Sequence, residues 1–98
     1  MNIKDLLAQA TELLDLTPDG WDRSIYFDIS KLFEEGGEAA ECVNKSRFTD
    51  EDLGEELADI MVVVAVIALK RGIDLDKAMV NKQVKRVRKL RKRFHGGE

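Results

Sequence analysis

Ten consecutive apolar residues, Ile60-Met-Val-Val-Val-Ala-Val-Ile-Ala-Leu69, follow directly on Asp59. On a helix they cover every side, and a helix that is apolar all round has to be enclosed all round. The run falls well short of the ~20 residues that cross a bilayer, so it predicts a core helix and not a membrane span. Three amphipathic neighbours of modest length offer little surface to enclose it, and a chain of 98 residues buries a limited core by itself. The expectation is an all-α fold, a four-helix bundle completed by homo-oligomerisation. A compact monomeric bundle is the alternative.

Helices account for the rest of the chain. There is one proline and there are seven glycines, while Ala, Leu, Glu, Lys and Arg abound. A first helix is predicted from about Asn2 to Asp15, with Ile3, Leu6, Leu7, Ala10, Leu13 and Leu14 as its apolar stripe, and Thr17-Pro-Asp-Gly20 stops it. A second begins near Trp21 or Asp22 and runs to about Asn44. Its apolar arc of Ile25, Ile29, Leu32, Gly36, Ala39, Ala40 and Val43 lies opposite Glu34, Glu35, Glu38 and Glu41, which predicts that core and chemistry occupy different faces. Thr49-Asp-Glu-Asp52 caps the third helix, and Lys70-Arg71-Gly72 closes it. Asp74 caps a fourth that carries Leu75, Met79, Val80, Val84, Val87, Leu90 and Phe94 on one side. Residues 1–94 read as a single domain and 95–98 as a flexible tail.

Two acidic clusters sit on this frame at helical spacing. They are Glu34-Glu35-x-x-Glu38 and, after seventeen intervening residues, Glu56-x-x-Asp59. Residues three and four apart share a helix face, so the first stacks three carboxylates and the second two. Like charges that close repel, and a divalent cation is the direct compensation. All five donors are oxygen, with no His or Cys beside them in sequence, which favours Mg²⁺ or Mn²⁺ over Zn²⁺. A solvated helix face explains the first cluster equally well. It explains Asp59 poorly, because a carboxylate at the mouth of an apolar helix is partly buried and needs a partner.

The net charge of −3 hides an asymmetry. Residues 1–62 carry 5 basic and 16 acidic side chains, a net of −11, and residues 63–98 carry 11 basic and 3 acidic, a net of +8. Such halves suit a site with metal ions on one side and polyphosphate on the other, and equally an internal salt-bridge arrangement. Cys42, the single cysteine, forms no internal disulfide, and with no signal peptide visible a reducing cytoplasmic home is expected.

Three segments together carry a family resemblance: Lys31-Leu-Phe-Glu-Glu-Gly-Gly-Glu-Ala-Ala-Glu41, Glu55-Glu-Leu-Ala-Asp-Ile-Met61 and Arg71-Gly-Ile-Asp-Leu-Asp-Lys77. Over roughly residues 21–90 the chain resembles the MazG-like nucleotide pyrophosphohydrolases of the all-α NTP pyrophosphatase superfamily, whose motif is EExxE followed by ExxD. The resemblance implies a Mg²⁺-dependent hydrolase that cleaves a nucleoside triphosphate between the α and β phosphates, releasing a monophosphate and pyrophosphate. It implies Glu35, Glu38, Glu56 and Asp59 as principal metal ligands, with Glu34 binding a second ion or orienting the attacking water. Glu34, Glu35 and Glu38 are the candidate catalytic residues.

Lys77, Asn81, Lys85, Arg88 and Lys92 fall on one stripe of the fourth helix, and Lys31 sits within the acidic arc of the second. The family uses an Asn and basic residues of its last helix near the triphosphate, so the resemblance implies Asn81, Lys85 and Arg88, with Lys31, as phosphate-side candidates. Phe27 projects onto the acidic side of its helix, off the apolar arc, and is the candidate platform for a nucleobase, with Trp21 and Tyr26 behind it. Core or interface packing is the other use for these aromatics.

Rival readings remain open. Phosphoribosyl-ATP pyrophosphohydrolase of histidine biosynthesis shares the paired acids and the fold, and the dimeric dUTPases and dCTPases of the superfamily are typically longer. A non-enzymatic nucleic-acid-binding or regulatory module is suggested by the eight basic residues from Lys82 to Arg93. Against it stand the acidic net charge and five carboxylates for which such a module has no use. Ferritin-like di-iron chemistry needs Glu-x-x-His motifs, and His95 is the one histidine.

Overall fold

The computed structural model of the chain describes residues 1–45 and 48–96. Four helices follow in order, α1 (Ile3–Leu16), α2 (Ile25–Asn44), α3 (Asp50–Arg71) and α4 (Leu75–Phe94), with no strand among the described residues. Of the tail expected at 95–98, Gly97 and Glu98 lie outside the described residues.

Capping chemistry fixes the helix starts. Asn2 stands just outside α1, where its side chain accepts from the Asp5 N–H at 2.9 Å while Asp5 accepts from the Asn2 N–H at 3.2 Å. Thr49 and Asp52 make the same reciprocal pair at α3, and Asp74 accepts from the Lys77 N–H at α4. Each such cap is worth about 1 kcal/mol. Gly72, at φ 63°, ends α3 in the left-handed region that a side chain would disfavour.

The second helix starts later than its sequence suggests. Trp21 and Asp22 belong to the connection, and Ser24 is the cap, accepting from the Phe27 N–H. The Trp21 indole instead reaches back and donates to Asp15 Oδ1 at 2.8 Å. Gly20 is buried in this turn, where a Cβ would lie 3.0 Å from the Leu14 carbonyl oxygen and 3.1 Å from Thr17 Cβ.

Helices α1 and α2 both pack on α3. Leu6, Ala10 and Ala65 form the core of the α1 contact, with Leu7, Val62, Val66 and Leu69 closed around them. Ala10 and Ala65 are fully buried, and their small side chains let the two helices approach closely. The α2 contact corrects the sequence-based expectation. Its buried residues are Asp28, Glu35 and Cys42, seven apart on one seam, so the carboxylate face packs on α3. The outer part of the apolar arc, Ile29, Ala40 and Val43, is exposed, as is Phe33. Core and chemistry share a face because α2 turns the edge of its apolar arc, not the middle, toward its neighbour.

The four helices of the expected all-α fold are packed unevenly within one chain. Three helices pack together, while α4 buries none of its residues and leaves Met79, Val80, Val84, Leu90 and Phe94 exposed. The flank of α3 is taken by α1 and α2, and of its apolar run Ala65 and Ala68 are buried, Met61 is exposed and the others are half-buried. Among the described residues, no helix is long and apolar enough to cross a membrane.

Candidate metal centre

Glu35 is the hinge of the acid cluster. Packed against α3 by the seam described above, it lies in reach of two sets of carboxylates. Oxygens of Glu34, Glu35 and Glu38 all lie within 4.8 Å of one another, and so do those of Glu35, Glu56 and Asp59. Helical spacing on α2 makes the first set, and the α2–α3 packing brings the second to it. All five predicted carboxylates therefore gather around Glu35 and not around one central point.

Burial grades the cluster. Glu35 is buried and Glu56 half-buried, while Glu34 and Glu38 are exposed and so is Asp59, against the expectation that its place before the apolar run would partly bury it. Two oxygens, Glu35 Oε2 and Glu56 Oε2, are buried without a hydrogen-bond partner. A buried polar atom left unpaired costs about 1–3 kcal/mol, and more when charged. Orphaned carboxylate oxygens beside three further carboxylates are what a hard divalent cation with oxygen ligands requires, so these residues fit such an ion.

The electrostatics agree. Burial, a hydrogen bond to Glu38 and the charges of Glu38, Glu35 and Asp59 raise the Glu56 pKa from 4.5 to about 7. Glu35 is raised by burial and by the Glu38 and Asp59 charges, against the opposing ammonium of Lys31. Lys31 lies 3.5 Å from both Glu34 and Glu35. Burial acts to lower its pKa, but the two carboxylates outweigh that and raise it. Next along the seam, burial and then the nearby charges of Glu56, Asp52, Glu41 and Glu38 push the Cys42 thiol up.

A pH dependence of stability follows. Between pH 4.5 and about 7 the folded Glu56 holds a proton that the unfolded chain has released, so its contribution is full below that window and lost as pH rises through it. The metal-free protein is therefore expected to lose thermal stability relative to Glu56→Gln as pH rises across the window, and a saturating divalent ion should reverse the trend. Melting temperatures of both proteins at closely spaced pH values check this. A difference independent of pH would contradict it.

The other predicted residues are placed differently. Phe27 has the Arg23 guanidinium over its ring at 4.7 Å from the centroid, and it lines a cleft that Lys31 also lines. Trp21 is tied to the end of α1 and Tyr26 is exposed. Asn81, Lys85 and Arg88 are exposed on α4, which makes no extensive contact with α2 or α3 among the described residues, so one chain does not gather them with the carboxylates. A broad apolar concavity bounded by Met79, Val80, Val84, Val87 and Arg88 belongs to α4 alone and is an open face, not an enclosed pocket.

One buried polar pair is not foretold by the acidic motifs. Lys70 donates to Asp28 Oδ2 at 2.9 Å and to the Arg23 carbonyl oxygen at 3.1 Å, with both side chains of the ion pair buried. Lys70 ends α3 and Asp28 opens α2, so each has a local explanation as a helix-end charge. The available signal was the seven-residue spacing of Asp28, Glu35 and Cys42, which puts Asp28 on the buried seam.

Two neighbouring helices of an all-α chain thus bring four carboxylates around the buried Glu35, an acidic cluster of the kind found in helical proteins that bind divalent metals. The family model of the MazG nucleotide pyrophosphohydrolase domain matches residues 28–94, and the chain belongs to that family. The family generally uses a divalent metal, with which the acid cluster is compatible. No curated protein and no solved structure matches the chain.

Proposed function

We propose that this protein is a Mg²⁺-dependent nucleoside triphosphate pyrophosphohydrolase, cleaving the α–β phosphate bond to give a nucleoside monophosphate and pyrophosphate. The observation that carries the reading is the pair of buried, unpartnered carboxylate oxygens on Glu35 and Glu56 within the cluster. Glu35, Glu38, Glu56 and Asp59 are the ligands for the ion, with Mn²⁺ an acceptable substitute. When bound, the ion neutralises phosphate oxygens and makes water a better nucleophile at neutral pH. Glu34, more exposed at the edge of the cluster, orients the attacking water. Lys31 holds Glu34 and Glu35 in position and offers its ammonium to the phosphates.

The reading assigns the domain to residues 1–94, a reducing cytoplasmic setting to the free Cys42, and the nucleobase to Phe27 in preference to Trp21, whose indole is engaged by Asp15. It also calls for a second copy of the chain. The exposed apolar side of α4 and the exposed Ile29, Phe33, Leu57 and Met61 of α2 and α3 need cover, and the basic α4 complements the acidic half. In such an assembly Asn81, Lys85 and Arg88 serve the phosphates. Light scattering after gel filtration is expected to report a dimer or tetramer that Val84→Lys shifts toward monomer. A monomeric wild type would remove this part.

Product analysis tests the activity. With Mg²⁺, a panel of NTPs and dNTPs should yield monophosphate plus pyrophosphate. Diphosphate plus orthophosphate, or no turnover of any nucleotide, would overturn the reading.

A further inference from the structure

Beside Lys31, which pairs with the acid cluster, the end of α1, the following turn, the start of α2 and the middle of α3 border an open cleft of about 140 Å³. Leu13, Leu14, Val63 and Val66 supply apolar walls, and Phe27 lines the cleft while remaining 42% exposed. Its polar side chains are Arg23, Asp28, Lys31 and Thr17. The Thr17 hydroxyl already donates to the Leu13 carbonyl oxygen at 2.6 Å. Two cations, Arg23 and Lys31, and the buried carboxylate of Asp28 are the charged residues that line the cleft.

Size limits what can enter. At ~30 Å³ per water the cleft holds about five, enough for one heterocycle and well short of the ~300 Å³ or more of a pocket for a whole drug-sized ligand. Lys31 lines the cleft and also pairs with Glu34 and Glu35. A ring seated here therefore has its remaining substituents directed past Lys31 to the carboxylates.

We propose that this cleft receives the substrate's base and that Asp28 accepts a hydrogen bond from an exocyclic amino group, so that cytosine and adenine are preferred to uracil and hypoxanthine. This rests on the nucleotide-hydrolase reading of the adjoining site. An ionised carboxylate only accepts, and it has about four lone-pair positions. Lys70 engages Oδ2 and holds the side chain in one orientation while leaving acceptor capacity. An amino group in the base donates to that capacity, whereas a carbonyl oxygen at the same position sets lone pairs against a carboxylate. The repulsion contributes as much to discrimination as the bond does. Arg23 and Lys31 are donors suited to the ring nitrogen or carbonyl beside the amino group. Arg23 also stacks on Phe27, which gives the base a flat cationic and aromatic wall.

The test compares substrates that differ only at this group. With Mg²⁺, kcat/KM for CTP over UTP and for ATP over ITP is expected to be about tenfold or more, the discrimination of a good base-edge contact. Asp28→Asn with Lys70→Met, which removes both charges together and leaves neither stranded, should bring both ratios to within about threefold of unity. In parallel, cytidine and uridine are titrated into the metal-free wild-type protein while the Val63 and Val66 methyl resonances are followed. Cytidine should shift them at lower concentration than uridine. Ratios near unity in the wild type, ratios unchanged in the double variant, or methyls that no nucleoside moves would each overturn the assignment. If no triphosphate is hydrolysed, the hydrolase reading fails, and the nucleoside titration still decides whether the cleft selects amino-bearing bases.

Discussion

Asp59→Asn is expected to lower kcat/KM for Mg²⁺-dependent nucleotide hydrolysis by about a thousand-fold or more while leaving the helical fold intact. Asparagine keeps an oxygen in position and removes the charge, and a cation's contribution to phosphoryl chemistry is several kcal/mol at about 1.4 kcal/mol per factor of ten. The fold should tolerate the change because Asp59 is exposed and its charge raises the pKa of Glu35 and Glu56. Removing that charge relieves the metal-free protein. Initial rates over a range of Mg²⁺ concentrations, with circular dichroism of the same samples, check both halves. Turnover within tenfold of wild type at every Mg²⁺ concentration would take Asp59 out of the ligand set.

Lys70→Met should be the most damaging single change to stability, costing about 3–5 kcal/mol. It leaves the Asp28 carboxylate buried without its counter-ion and takes a donor from the Arg23 carbonyl oxygen. Small domains are stable by about 5–15 kcal/mol in all, so this is a large share. The long methionine side chain fills the space, so the loss is electrostatic and not a cavity. Adding Asp28→Asn should therefore recover most of it. Urea unfolding of wild type, single and double variants measures the three values. A single variant within about 1 kcal/mol of wild type would show that the pair is inessential.

What the sequence revealed was local. Caps at Thr49 and Asp74, the left-handed Gly72 and the spacing of the acidic motifs are properties of neighbouring residues, and each appears in the structure where its pattern predicts. Where the reading failed, the deciding contact lay far along the chain. The apolar arc of α2 predicts its buried face because apolar residues usually are buried, yet Asp28, Glu35 and Cys42 form the seam. That seam is polar because it carries the ion pair to Lys70 and the cluster with Glu56 and Asp59, 42 residues away in the first case. Trp21 misled for a related reason, since a favourable helix pattern continued into a turn held by Gly20 and by the indole's bond to Asp15. The exposure of α4 was foreshadowed only by the need to cover the apolar run of α3 from outside.

The central claim is that Glu35, Glu38, Glu56 and Asp59 hold a divalent ion, and Mn²⁺ titration followed by electron paramagnetic resonance tests it without reference to turnover. As Mn²⁺ is added, the free-ion signal is expected to stay suppressed until at least one equivalent per chain is bound, and Mg²⁺ should restore it by competition. Glu56→Gln and Asp59→Asn should show the free signal from the first additions. Binding of equal strength in all three proteins would contradict the account.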